Sequence, residues 1–427
     1  MPTAPNDLTA TELARLLQRR ELRAEEVARA HLERIQARES LIGAWTYLDA
    51  DRVLREAQVL DAGPVRGPLH GLPIGVKDII GTFDMPTEYG SPIYKGHRPA
   101  WDAACVAAIR AAGGLILGKT VTTEFATSHP GRTANPHNPR HTPGGSSSGS
   151  AAAVADRMVP LALGSQTGGS VIRPASFCGI VGYKPTFGLI NRHGVKPLSE
   201  SLDTVGVMAR SVGDAALLAA AVTGRPALQD LSETMSWRIG VWRTYEWGQA
   251  QAETIAAVEG AARRLAAAGA RVSEAAMPER FEQADSAHHE IEHFELARAL
   301  AFEMQWHRES LTPGLRARLE HGQACPPELY DAKLAVAEAC RHALDEVFGQ
   351  YDVLLAAAAT GEAPLGLATT GKAAFNRTWT LMHVPCISVP AASGPNGLPV
   401  GIQVIGRRSD DRKALAAARW IEQILRA

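Results

Sequence analysis

The stretch Pro143-Gly144-Gly145-Ser146-Ser147-Ser148-Gly149-Ser150 is followed, after a run of mostly small apolar residues, by Gln166-Thr167-Gly168-Gly169-Ser170-Val171-Ile172-Arg173-Pro174. Two Ser/Gly clusters flank a segment with the look of a buried one. A flexible Gly/Ser linker would not be framed by apolar strand and helix material. Upstream lies Leu72-Pro73-Ile74-Gly75-Val76-Lys77-Asp78-Ile79-Ile80, a lysine inside an apolar run.

A serine hydroxyl is a weak nucleophile and needs a base. No Asp or His stands beside Ser170, so a base must come from elsewhere in the chain. Burial disfavours the charged ammonium and can lower a lysine pKa by several units. A neutral Lys77 could then act as a general base, as in Ser-Lys variants of the serine triad. The plainer alternative is a solvated strand-end lysine beside Asp78, the usual state of lysines. Gly168-Gly169 before Ser170 suits an oxyanion hole, where successive amides must converge in conformations that glycine tolerates. Alone, Gly-Gly-Ser fits a plain turn equally well.

Jointly, these motifs resemble the amidase signature family. Ser146 and Ser170 keep the family separation, and Lys77 sits in its Gly-Val-Lys-Asp block. Arg173-Pro174-Ala175-Ser176-Phe177-Cys178-Gly179, Gly182-Tyr183-Lys184-Pro185-Thr186, Pro385-Cys386-Ile387-Ser388-Val389-Pro390 and Gly397-Leu398-Pro399-Val400-Gly401-Ile402-Gln403 continue the match. The resemblance implies an α/β fold with a large mixed β-sheet core covered by helices on both faces. It implies Ser170 as nucleophile, and Ser146, after a cis Gly145–Ser146 bond, as the bridge to Lys77. The amides of Thr167, Gly168, Gly169 and Ser170 would form the oxyanion hole, with no cofactor and no metal.

Two positions depart from the commonest family pattern. Gln166 stands where most members carry Asp, and Ile172 takes the place of an Arg, the arginine being Arg173. In this the chain is most similar to malonamidase-like members, which implies a small amide whose carboxylate Arg173 grips. The expected function is an amidohydrolase working through an acyl-enzyme. Alternatives are a carbamate or urea-type C–N hydrolase, and a glutamine-hydrolysing subunit of a tRNA-dependent amidotransferase. Such subunits usually carry the Asp that Gln166 replaces and are somewhat longer.

Composition agrees with a cytoplasmic enzyme. The 427 residues carry 44 Lys and Arg against 45 Asp and Glu, a formal charge of −1. That balance makes no electrostatic case for nucleic acid or membrane. The expected partner is a small-molecule amide, with the chain a homodimer. Five well-separated cysteines without a C-x-x-C pair point to reduced thiols. No apolar run reaches the roughly 18 residues of a membrane span.

Apolar spacing predicts helix over 7–38, with start signals at Asp7, Thr9 and Ala24-Glu25-Glu26. It predicts strand-like structure over 69–80, helix over 105–112 and a short strand at Leu115-Ile116-Leu117. Helix and strand alternate to about residue 220, which argues α/β. An Ala/Arg/Glu-rich stretch from about 251 to 350 reads as helices, and 353–355 and 384–405 return to strand. The expectation is a single domain over 1–427 with 251–350 as a peripheral helical segment.

Two motifs compete with this reading. His289-Glu290-Ile291-Glu292-His293 matches H-E-x-x-H, in which two histidines bind zinc and the glutamate is the base. The surroundings are rich in His and Glu, so the match reads as incidental. Gly145-Ser146-Ser147-Ser148-Gly149 matches a nucleophile elbow with Ser147 as nucleophile, but 131–142 reads as loop where a strand is needed. Pocket walls are expected from 125–129, 280–310 and 375–383, with Trp306, Trp379 and His383 as candidate liners.

Overall fold

Apolar runs too short for helices become strands. The computed structural model describes residues 4–127, 129–232 and 236–426. Its strands are β1 (Trp45–Leu48), β2 (Pro73–Lys77), β3 (Leu115–Thr120), β4 (Leu161–Gln166), β5 (Val181–Lys184) and β6 (Thr204–Ala209). They continue with β7 (Arg238–Val241), β8 (Arg271–Glu274), β9 (Val353–Ala357), β10 (Cys386–Ser393) and β11 (Pro399–Gly406). All join one 11-stranded sheet in the order β1-β3-β2-β4-β6-β5-β10-β11-β9-β7-β8. The sheet is mixed. β3, β2 and β4 run parallel, as do β9, β7 and β8, and the middle is antiparallel.

Every residue of β2, β3, β4, β5, β6 and β9 is buried. Successive side chains of a strand point to opposite faces, so both faces of these strands are covered. Helices supply the cover. Ser148–Ala155 packs on β2, β3, β4 and β6, Val212–Thr223 on β4, β5 and β6, and Asp411–Arg426 on β10 and β11. The α/β class with a large mixed sheet is the expected one.

Small residues bring the helix Ser148–Ala155 close to the sheet. A Cβ at Gly149 would collide with the Ala44 carbonyl and the Val121 amide. The Ser/Gly cluster that opens this helix is therefore packing material as well as chemistry.

Two expectations change in detail. The 7–38 helix is two helices, Ala10–Gln18 and Ala24–Ile42. Thr9 and Glu12 form a capping box on the first, and Arg20 breaks the pair with a left-handed backbone, φ 56°. The 251–350 stretch holds helices Ala252–Ala267, Ala284–Ala299, Ala301–Trp306, Pro313–Ala324 and Pro327–Gln350, but also β8. That strand, Arg-Val-Ser-Glu, is a mostly exposed parallel edge. Backbone pairing with β7 holds it, and one apolar residue leaves no periodic signal. No described helix is long and apolar enough to cross a membrane. All five cysteines are free and buried.

Candidate active site

Lys77 ends β2, and β2 lies parallel to β4 with Val76 opposite Leu163. Both strands therefore deliver their C-terminal residues to one edge, where α/β sheets place ligands. Lys77 is fully buried. Its Nζ donates to Ser146 Oγ at 2.7 Å and to Ser165 Oγ at 2.8 Å. Asp78 is no partner for it, since that carboxylate lies 3.5 Å from Lys119 Nζ. Burial pushes the Lys77 amine well below its usual range. The Asp203 carboxylate opposes that shift and the Arg173 guanidinium adds to it. Ser165 is a residue the sequence reading missed. It sits at the β4 end that faces Lys77, a placement that only strand pairing reveals.

The Gly145–Ser146 peptide is cis, as expected. Ser147 is buried and turned away. Its Oγ donates to the Ser165 carbonyl and accepts from the Ser165 amide, each at 3.2 Å. Residues 131–142 hold isolated bridges and turns, not the strand a nucleophile elbow needs.

Ser170 lies in the loop after β4. It lines a cavity of about 410 Å³ together with Thr167, Gly168, Gly169 and Arg173. Three carbonyls of this loop are held by other groups. Thr167 O accepts from His288 Nε2 at 2.8 Å. Gly168 O accepts from Thr380 Oγ1 at 2.8 Å, and Gly169 O from the Arg173 amide at 3.0 Å. A trans peptide sets each N–H opposite to the carbonyl before it. The amides of Gly168, Gly169 and Ser170 therefore face away from these partners, and they donate to no group among the described residues. Thr167 contributes through its held carbonyl and through its hydroxyl, which donates to Asp203 Oδ1 at 2.5 Å. Gly169 has no room for a Cβ, which would meet the Asn376 side chain.

Gln166, the last residue of β4, ties this loop together. Its Oε1 accepts from the amides of Val171 and Ile172 at 2.9 and 3.0 Å, and its Nε2 donates to Thr380 Oγ1 at 3.0 Å. An aspartate could accept but not donate. Gln166 stood out only as a departure from the family pattern, and its partner Thr380 lies far away in sequence.

Arg173 is 6 % exposed and has no carboxylate partner among the described residues. One Nη donates to Gly145 O at 2.7 Å and approaches Thr370 Oγ1 at 3.4 Å. Its Nε has no partner. Burial and the like charge of Arg377 lower its pKa to about 10, which leaves it charged at neutral pH. Arg318, Lys372 and Arg377 also line the cavity, and Glu292 lies among them. Arg318 pairs with Glu292 at 2.9 Å and Arg377 with Asp285 at 2.8 Å.

The expected walls are met in part. Ala126, Thr127, His289, Glu292, His293 and Arg377 line the cavity, and Ser128 lies outside the described residues. Trp306 is 67 % exposed, and Trp379 is core, edge-on to Trp242 at 5.0 Å. His383 stacks on Phe187 and bonds Ser201 O. None of the three lines the cavity. Arg318 and 370–373 are liners that the sequence did not signal.

His289, Glu292 and His293 bring ligand-type atoms within 4.8 Å of one another. Glu290, the base of the H-E-x-x-H pattern, instead faces His321 at 3.0 Å. Arg318 occupies the cluster, with Nε donating to His293 Nε2 at 3.2 Å beside its Glu292 pair. Glu292 and His293 thus already serve a cation, while His289 approaches Asp285 at 3.7 Å, so the cluster fits an arginine better than a metal ion.

A family model described as Amidase matches residues 26–415. The chain belongs to the amidase family. As such it is a hydrolase that breaks amide C–N bonds. A crystal structure of an amidase is 32% identical with TM-score 0.89, covering 98% of this chain and 100% of that one. The native peptide amidase from Stenotrophomonas maltophilia is 30% identical with TM-score 0.85, covering 99% and 97%. A glutamyl-tRNA(Gln) amidotransferase subunit from Agathobacter rectalis is 32% identical over 97% of this amidase chain and 93% of that protein.

That last relative corrects the expectation of a small-molecule enzyme that forms a homodimer apart from nucleic acid. A near full-length relative is one subunit of an assembly, a glutamyl-tRNA(Gln) amidotransferase. The chain spans nearly all of it, so shortness does not separate the two. A formal charge of −1 bears on direct contact alone and not on membership of an assembly. Nor do these names carry the finer likeness to malonamidase.

Proposed function

We propose that this amidase hydrolyses an amide that bears a carboxylate close to the scissile bond. One observation carries the reading: a buried, charged Arg173, without a carboxylate partner among the described residues, lines the same cavity as Ser170. An unpaired buried charge is unfavourable, and a substrate carboxylate relieves it with a two-pronged hydrogen bond.

The Lys77–Ser146 hydrogen bond supports the first link of a relay, and the link from Ser146 to Ser170, between which no hydrogen bond is present among the described residues, belongs to the proposal. Neutral Lys77 draws the proton of Ser146, which takes that of Ser170. Ser170 Oγ adds to the amide carbon, and the oxyanion sits before the amides of Gly168, Gly169 and Ser170. The C–N bond breaks as the proton returns from Lys77 through Ser146 to the leaving nitrogen. Water then adds to the acyl-enzyme, gives its proton to the same relay, and frees the acid and Ser170.

Malonamate and glutamine both carry a carboxylate and an amide. The likeness to the glutamyl-tRNA(Gln) amidotransferase protein favours glutamine as the second reading. In that case turnover would depend on partner subunits. The test compares malonamate, glutamine and a neutral aliphatic amide of similar size, with wild type and Arg173→Ala. We expect a KM rise of roughly ten- to a hundredfold for the carboxylate substrates, the value of a charge-assisted bond, and little change for the neutral one. Equal damage to all three would make Arg173 a prop for the Gly145 carbonyl and remove the carboxylate reading.

A further inference from the structure

The carbonyls of Thr167 and Gly168 are held by His288 on helix Ala284–Ala299 and by Thr380 on helix Arg377–Leu381. Each held carbonyl turns the following N–H the opposite way, because the peptide is planar and trans. Both side chains are buried. A carbonyl can only accept, so His288 Nε2 carries the ring proton. The hydroxyl of Thr380 is oriented in turn. Gln166 Nε2 donates to it, and of the two carbonyls its hydrogen can reach, Gly168 O at 2.8 Å is nearer than Asn376 O of its own helix at 3.3 Å.

We propose that His288 and Thr380 are positioning residues that aim the Gly168 and Gly169 amides at the developing oxyanion. They act through the loop and touch no reacting atom. An aspartate at position 166 would accept from Thr380 and draw its hydrogen away from Gly168 O. The glutamine in this chain and the threonine therefore belong together.

The inference rests on Ser170 as the nucleophile, so the experiment separates the two. The probe is a fluorophosphonate, whose phosphorus takes Ser170 Oγ as fluoride leaves. Phenylboronic acid, which forms a tetrahedral adduct with the same oxygen, is the second probe. Thr380→Val and His288→Phe remove the donors while keeping bulk. Thr380→Ser and His288→Gln keep them.

We expect the maximal labelling rate of the Val and Phe variants to fall about 10- to 100-fold, less than or equal to the loss of a whole oxyanion donor. The half-saturating concentration should stay within about threefold, since ground-state binding is untouched. Phenylboronic acid should weaken by the same factor as the rate. The Ser and Gln variants should regain most of both. If a Val or Phe variant fails to fold, Thr380→Ala and His288→Leu take its place. Wild-type labelling rates in the Val and Phe variants, or no advantage of Ser and Gln over them, would overturn the proposal. Failure of wild type to label at Ser170, or labelling that survives Ser170→Ala, would instead overturn the nucleophile itself.

Discussion

Lys77 has no carboxylate partner among the described residues, and burial favours its neutral form. Its proton must therefore be absent before Ser146 can hand one over. Activity is expected to rise with pH through the depressed Lys77 pKa and to level off on the alkaline side. Asp203 holds that pKa up and Arg173 pushes it down. Asp203→Asn should then move the acid limb to lower pH, whatever it does to the plateau. A limb that stays in place or moves up would assign the rise to another group. Substitution of the proposed triad gives a second expectation. Ser170→Ala should cost at least about 10⁴-fold in kcat, Lys77→Ala nearly as much, and Ser146→Ala less, without additivity. A covalent adduct found on Ser147 would contradict this order. The proposed Ser-Ser-Lys set could be named from sequence because its residues fall in three dense motifs. Ser165 was not, because parallel pairing of β2 with β4 puts it beside Lys77.

At the scale of elements, helix Ala284–Ala299 meets the loop after β4 and the cavity with different residues. His288 reaches Thr167 O, and His289, Glu292 and His293 line the cavity. Helical spacing made this stretch resemble a zinc motif. Packing of helix Pro313–Ala324 against it supplies Arg318, which bonds both Glu292 and His293. Chelator treatment is expected to leave hydrolysis unchanged, measured as ammonia release before and after dialysis against EDTA. A loss restored by zinc would reverse the assignment. Gln166 belongs to this scale too. Gln166→Glu keeps the acceptor for the Val171 and Ile172 amides but loses the donor to Thr380. A fall in kcat with KM nearly unchanged is expected. A change in KM alone would speak against it.

The whole molecule carries buried histidines that are neutral in the fold. Burial lowers His31 to about 3 and His383 to about 3. Unfolded, each binds a proton near pH 6.5. Stability is therefore fully present above that pH and is lost as pH falls, by about 2 kcal/mol per group at pH 5. Asp78 and Asp203, raised to about 6, act in the opposite sense between about pH 6 and 4. The comparison of wild type with His31→Asn isolates one term. The urea midpoint of the variant should fall less steeply between pH 7.5 and 5. Parallel curves would mean that His31 is protonated in the fold.

Family, class of reaction and class of fold were all readable from the chain. Serines, glycines and a lysine at family spacing need no partner to be recognised. Short apolar runs between glycine breaks announce strands, because a strand buried on both faces has nothing else to show. The tertiary structure alone decided which side chains meet. β8 exists through backbone pairing and not through its own residues. Arg318, Thr370 and Thr380 reach the site from segments far from the signature, and the sheet and the helices on it bring them there. Trp379, a reasonable pocket wall on composition, became core because a neighbouring strand end supplied Trp242 to pack against it. Periodicity reports which face of an element is buried, but not which element will cover it.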